Sequence, residues 1–284
     1  MRQHLLARSL MAFSLILLPF AAFAAGARVS KAGVPKAENC APKVESSTPK
    51  VGSVFKDCSY CPEMVVIPAG SFAMGSVVGE EGRSEDEGPQ HQVKLSQPFA
   101  MSKTEVTQAQ WVAVMGKNPS HFASCGANCP VEKVSWNDVQ EYLSRLNART
   151  GKRYLLPSEA EWEYACRAGG TQPYCGGSDI DTIAWHHANS SRKPQPVSGK
   201  QANAWGLSDM SGNVFEWVED CWNKNYEDVP TDGSAWMSGD CSSRVLRGGA
   251  WFSEPGLARA AKRLRLPIDD RNGIAGFRVV RTLP

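Results

Sequence analysis

From Cys58 onward, short apolar runs alternate with turns closed by Pro and Gly. Met64-Val65-Val66-Ile67 is continuous and ends at Pro68-Ala69-Gly70, which predicts a buried strand. Ser71 to Gly75 predicts a second strand and His91 to Leu95 a third. Between them, Glu80 to Gln90 is acidic and contains Gly, and reads as a solvated loop. Three helices are predicted by their caps. Thr107-x-x-Gln110 and Ser158-x-x-Glu161 fit the capping box, and Ser135-x-x-Asp138 is a close variant. After Ser135, Val139, Tyr142, Leu143 and Leu146 recur on one face; after Ser158, Trp162, Ala165 and Cys166 do so until Gly169-Gly170. Beyond residue 170 there is no long periodic segment. Gly, Asn, Asp and Trp dominate, which predicts irregular backbone held by aromatic packing, disulfides or bound cations. Residues 58–284 therefore read as one α+β domain with low regular structure in its second half. Residues 25–57, rich in Lys, Pro, Ser and Ala, read as a linker or loosely ordered arm.

Residues 1–24 read as a cleaved secretory signal peptide. Arg2 and Arg8 give a basic start, Leu10 to Leu18 an apolar stretch, and Ala22-Phe23-Ala24 a cleavage site. The stretch is shorter than the roughly 20 residues of a spanning helix, and no longer one follows, so the mature chain is expected to have no membrane span. The expected location is the periplasm. The whole chain has 31 Lys+Arg and 29 Asp+Glu; without the leader the two counts are equal, which argues against nucleic acid as a partner. All nine Cys lie beyond the leader, where disulfides are permitted. Close spacing favours Cys58–Cys61, Cys125–Cys129 and Cys221–Cys241, with Cys166 and Cys175 as a fourth pair and Cys40 left over. Spacing alone leaves the connectivity open. The rival reading of Cys58-x-x-Cys61 is a redox dithiol, which lacks its βαβ context here.

Seven stretches in order resemble the formylglycine-generating-enzyme family, also called the sulfatase-modifying-factor domain. They are Pro62 to Gly70, Glu105-Val106-Thr107, Pro130 to Trp136, Leu156 to Ala165, Gly212 to Trp217, Arg247 to Trp251 and Gly276-Phe277-Arg278. The resemblance covers about 62–281 and implies an irregular α+β body related to C-type lectins. The family's best-known activity uses copper held by two Cys shortly after the Arg-Gly-Gly motif; thiolates suit Cu(I) because both are soft. Here Ser253 and Ala258 stand at those positions and no Cys follows 241, so no copper is expected and formylglycine generation is rejected. A second branch holds iron with His residues of an extra helical domain that this chain lacks. His91, His121, His186 and His187 are the His residues beyond the leader, and the adjacent pair is read as loop or surface residues.

A third branch is exported, lacks the copper thiols and acts in siderophore maturation. That resemblance implies oxidation of a dihydropyoverdine chromophore precursor to pyoverdine, with a small peptide siderophore precursor as substrate and other periplasmic maturation enzymes as partners. The redox cofactor is unknown at this stage. Glu254, beside the vacated thiol position, is the expected base, its pKa raised by desolvation in a cleft, and the Ser253 hydroxyl at that position is the other expected catalytic group. Arg259 and Arg263, with Lys262, Arg265 and Trp251, are expected to hold a catecholate or an acidic acyl group. The competing reading of these cations is a solvated strand face. Asn213, Val214 and Glu216 resemble the family's structural Ca²⁺ loop, and Asn189-Ser190 a second such site. The alternatives are a non-catalytic, lectin-like binding module and a cell-envelope assembly factor.

Overall fold

Thr107, Ser135 and Ser158 each accept the N–H of the residue three positions on, at 3.3, 3.1 and 3.0 Å. Gln110, Asp138 and Glu161 accept the cap N–H in return. These reciprocal bonds open α1 (Gln108–Met115), α2 (Trp136–Thr150) and α3 (Glu159–Arg167) where the caps predict them. The computed structural model describes residues 50–283. The leader, Cys40 and residues 25–49 of the arm lie outside the described residues. α3 ends one residue earlier than its Gly pair suggests, because Ala168 itself takes the left-handed conformation, φ 46°. A one-turn helix, α4 (Ile180–Ile183), completes the set.

One sheet is antiparallel throughout, in the order β1 (Val54–Phe55), β2 (Met64–Ile67), β5 (Phe99–Ser102), β11 (Val280–Arg281), β6 (Tyr154–Leu155). β2 is buried at all four positions, which is why its run is unbroken. β1 lies inside the stretch that composition reads as an arm. Its two apolar residues pair with Val65 and Met64, and two residues carry no detectable period. β3 (Gly70–Met74) and β4 (His91–Leu95) form a separate hairpin-like pair. The loop between them is not simply solvated. Glu87, at its centre, is fully buried, accepts from Ser76 Oγ at 2.8 Å and pairs with Arg259.

Most of the second half is irregular, as expected, and its regular part is concentrated in one sheet. β7 (Phe215–Trp222) and β8 (Asp240–Arg247) are eight residues each, and with β9 (Arg263–Pro267) and β10 (Ala275–Gly276) make a sheet in the order β10-β7-β8-β9. β7 escapes detection because it is buried on both faces and does not alternate. β9 alternates Arg and Leu: Leu264 and Leu266 are half-buried against the apolar core, Arg265 is exposed, and Arg263 is buried by its ion pair with Glu159.

Two apolar cores result. One gathers Trp111, Tyr142, Trp217 and Phe277, with Trp111 and Tyr142 stacked at 5.3 Å; the other gathers Met74, Val93, Trp162, Leu207 and Val218. All the helical-face residues predicted for α2 are buried. Four disulfides join Cys58–Cys61, Cys125–Cys129, Cys166–Cys175 and Cys221–Cys241. Four such bonds fit an oxidising compartment. Among the described residues no helix is long and apolar enough to cross a membrane.

The charged residues of the motifs are buried between these elements. Arg247 reaches Glu159 at 2.6 Å and Glu163 at 2.7 Å, and Arg263 holds both oxygens of Glu159 at 2.7 and 3.0 Å. Burial pushes the Glu159 pKa up, but Arg263 and Arg247 outweigh it and hold the carboxyl below its usual range. These pairs fasten β8 and β9 to α3.

Candidate functional site

Arg247-Gly248-Gly249 leads from β8 into the turn that the sequence singles out. Gly248 and Gly249 sit at φ 96° and 81°, and a Cβ on Gly249 would come within 2.9 Å of Ala258 Cα. Only Gly fits both the dihedral and the approach. Ser253 closes the turn. It is fully buried, its Oγ accepts the Ala250 N–H at 2.9 Å, and its own N–H returns to the Ala250 carbonyl at 2.8 Å. This corrects the expectation of a reactive hydroxyl: Ser253 offers none to an incoming molecule. Trp251 is fixed through Nε1, which donates to the Gly273 carbonyl at 3.0 Å.

A second loop is stapled onto this turn. The His187 N–H donates to the Ser253 carbonyl at 3.1 Å, and Ser190 Oγ donates to the Trp251 carbonyl at 2.6 Å. Ser190 Oγ also accepts the Arg192 N–H at 3.2 Å. Ser191 and Arg192 are both left-handed, φ 57° and 60°, a local cost of about 1 kcal/mol each. The result is a cleft of about 370 Å³ lined by His187, Arg192, Trp251, Phe252 and Ile274. Its aromatic wall continues through Phe122, whose ring meets Trp251 edge-on at 5.4 Å. Glu132 holds the Phe122 N–H at 2.7 Å. The Arg192 guanidinium has no partner among the described residues and is exposed.

Glu254 stands at the edge of this cleft. Its side chain is 72% exposed and its Oε1 lies 3.4 Å from His187 Nδ1. The expectation of a desolvated carboxyl is therefore corrected; water and His187 surround it. The expected anion-binding cations are elsewhere. Arg263 is buried against Glu159, with Trp222 and Tyr226 over its guanidinium at 4.7 and 4.4 Å, and has no open face. Arg259 is buried between Glu80 and Glu87 and lines a different cleft. Lys262 approaches Glu87 at 3.8 Å, and Arg265 covers Trp222 at 5.2 Å. Of the residues named from sequence, Trp251 and Glu254 come together. His187, Arg192 and Phe252 were missed as site residues. Adjacency to Trp251 pointed to Phe252, but nothing in the pattern of the 187–192 loop marks it as folding back. The two adjacent His rings do part, as alternation requires: His186 is buried on Asp181 at 2.7 Å.

The side chains expected to hold calcium have partners within the protein. Asn213 Oδ1 accepts the Gln195 N–H at 2.9 Å, and its amide donates to the Gln195 carbonyl. Glu216 gives both oxygens to Arg278, at 2.6 and 2.7 Å, and one also to Trp162 Nε1. Asn189 Oδ1 accepts the His186 N–H at 2.9 Å, and Ser190 holds Trp251. These side chains are already engaged. Beside Glu216, however, Glu105 buries both carboxylate oxygens without a partner and Asp209 buries Oδ1 likewise. Burial, then Asp209 and Glu216, push the Glu105 pKa well up; burial pushes Asp209 up to about 6. Such orphaned hard oxygens suit an oxygen-seeking cation. No three His, Cys, Asp or Glu side chains among the described residues converge to hold a metal, so backbone carbonyls would have to complete the shell.

Comparison with known proteins agrees with this architecture. The sulfatase-modifying factor enzyme 1-like domain matches residues 50–283. The formylglycine-generating enzyme of Streptomyces coelicolor is 29% identical over 282 residues, 75% of this chain and 87% of its own. Chaperone protein LppX of Paenibacillus barcinonensis is 30% identical over 240 residues, 65% of this chain and 80% of its own. The structure of PvdO from Pseudomonas aeruginosa superposes with a TM-score of 0.76 at 39% identity, covering 83% of this chain and all of that one. With its α+β fold and its motif residues built into the ion-paired frame, the chain belongs to the formylglycine-generating-enzyme, or sulfatase-modifying-factor, family.

Proposed function

We propose that this protein is a periplasmic maturation factor for a peptide siderophore, oxidising a dihydropyoverdine chromophore precursor in the Trp251 cleft. The observation that carries the reading is the 39% identity to PvdO over that chain's full length. The thiol positions support it: Ser253 and Ala258 are both buried in the turn, and all eight described Cys are in disulfides. The cleft has matching chemistry. Trp251 and Phe252 offer faces to a planar ring, and Arg192 a free guanidinium to a catecholate or carboxylate. Glu254 accepts the proton lost from carbon or nitrogen, and His187 at 3.4 Å relays it to water. The remaining hydrogen leaves with two electrons to an external two-electron acceptor, such as dioxygen reduced to hydrogen peroxide. A structural Ca²⁺ belongs at Asp209 and Glu105, where it would neutralise buried charge and fix the 209–216 loop.

Pure protein mixed with dihydropyoverdine under air should generate the absorbance and fluorescence of pyoverdine. A deletion strain that still completes its chromophore rejects the reading. Full activity in Glu254→Gln rejects only the residue assignment. One observation favours a second reading, a non-catalytic binding module: the carboxylate expected to act as base is 72% exposed rather than enclosed in a cleft. That reading requires saturable binding with no turnover.

A further inference from the structure

β3 is paired on one side only. In its register Ser71 faces Lys94, yet the Lys94 N–H donates to Thr231 at 2.9 Å. The ladder bonds therefore fall at Gly70, Phe72 and Met74, and the N–H and C=O groups of Ser71 and Ala73 turn away from β4. They find no partner among the described residues. An unpaired strand edge is a ready template for another strand.

This edge runs along a cleft of about 520 Å³. Ser71, Phe72 and Ala73 form one wall, and Tyr164, Arg167 and Trp205 stand among those lining the rest. Phe72 and Trp205 contact the Tyr164 ring at 5.3 and 4.8 Å. Tyr164 is 5% exposed, and its hydroxyl has no hydrogen-bond partner. A Cβ on Gly70 would lie 2.3 Å from that hydroxyl, so Gly70 leaves the room it occupies. At Glu80 and Thr171 the cleft meets a second one of about 500 Å³, which reaches Pro255 and Gly256. Those two residues directly follow Glu254.

Four charged residues line the path, Glu80 and Glu81 against Arg167 and Arg259. Arg259 is held by Glu80 and Glu87, and Lys262 faces Glu87, while Glu81 is exposed at the mouth. Arg167 is held by Glu163, so Glu81 is the lining charge left without an ion-pair partner among the described residues. Outward backbone groups two residues apart, roughly 7 Å, match another extended backbone, and a compact ring meets only one of them.

We propose that the free edge of β3 binds an extended peptide as an added strand, with an apolar side chain on Phe72 and Trp205 and a basic one at Glu80 and Glu81. Because the path reaches Pro255, the residue after Glu254 in the chain, the groove is assigned to the peptide tail of the molecule whose ring enters the Trp251 cleft. That last assignment rests on the siderophore reading; the groove does not.

The probe is an end-blocked, fluorescein-labelled heptapeptide, Ser-Lys-Val-Phe-Val-Lys-Ser, measured by anisotropy on the full protein. Two further versions carry N-methyl groups at odd or at even residues, and a third has Glu for Lys. Saturable binding is expected, and one methylated version alone should weaken about tenfold, because only one peptide edge faces β3. The Glu version should weaken about fivefold at low salt. Trp205→Ala, checked for folding by its urea midpoint, should weaken all versions. Equal binding of both methylated peptides, or no saturation by about 1 mM, overturns the proposal. Peptide binding without oxidation of dihydropyoverdine defeats the siderophore reading and leaves the groove standing. Oxidation without peptide binding does the reverse.

Discussion

Replacing Arg247 by Met tests whether the Arg-Gly-Gly motif serves the frame or the chemistry. The side chain is wholly buried and meets Glu159 at 2.6 Å, Glu163 at 2.7 Å and the Tyr226 hydroxyl at 3.2 Å. Met keeps most of the volume and removes the charge. Breaking a buried pair from one side costs about 3–5 kcal/mol, because the partner is left charged and dry. Here each carboxylate keeps a second cation, Arg263 on Glu159 and Arg167 on Glu163 at 2.7 Å, so the lower end, about 3 kcal/mol, applies. Against a total of about 5–15 kcal/mol, that is measurable without loss of the fold. The assay is urea unfolding followed by Trp fluorescence at pH 7. Adding Glu163→Gln should then cost about 2 kcal/mol less in the Met background than alone, since the orphaned charge is gone. The penalty should shrink below the usual carboxylate range, because the stability from a depressed Glu159 pKa is present above it and lost as pH falls. A variant within about 1 kcal/mol of the parent, or strict additivity with Glu163→Gln, refutes the reasoning.

Asp220 is buried and pushed up to about 7 by desolvation and then by Glu159, so the folded state holds its proton where the unfolded chain has lost it. Stability should fall as pH rises from about 4 to 7, and Asp220→Asn should flatten that slope in urea midpoints; an unchanged slope counts against it. Gly249→Ala, strained at φ 81° and crowded by Ala258, should cost about 2 kcal/mol and lower turnover by moving Glu254; a neutral result in thermal melts contradicts the account of the turn. Added Ca²⁺ at a hundred times its Kd should stabilise the protein by about 2.7 kcal/mol, and Asp209→Asn should abolish the gain. Absence of any shift with calcium at pH 7.5 removes that assignment.

Much of the frame was legible because its signals are local. Capping boxes at Thr107, Ser135 and Ser158 involve residues three apart, and the apolar face of α2 repeats within one helix. The four disulfides join residues at most 20 positions apart. β7 was illegible because period detection assumes one wet face and one dry apolar face, and this strand is dry on both. Glu87 looked solvated because its partner, Arg259, lies 172 positions away. The cleft suffered similarly. Trp251 and Glu254 stand next to a recognisable motif, but His187 and Arg192 reach it only through the backbone and Ser190 bonds that fold their loop onto the turn. Arg259 and Arg263 were plausible anion holders until their buried acids were seen.

The place of β11 has a consequence for how the molecule is made. This strand, three residues from the carboxyl end, is inserted between β5 and β6, pairing with Met101 and Leu155 at once. A ribosome delivers those two neighbours long before the filler between them. Until β11 emerges, the largest sheet is split down its middle, and the nascent polypeptide must wait with two bare rims. Deleting β11 therefore removes a keystone of this sheet rather than a fringe.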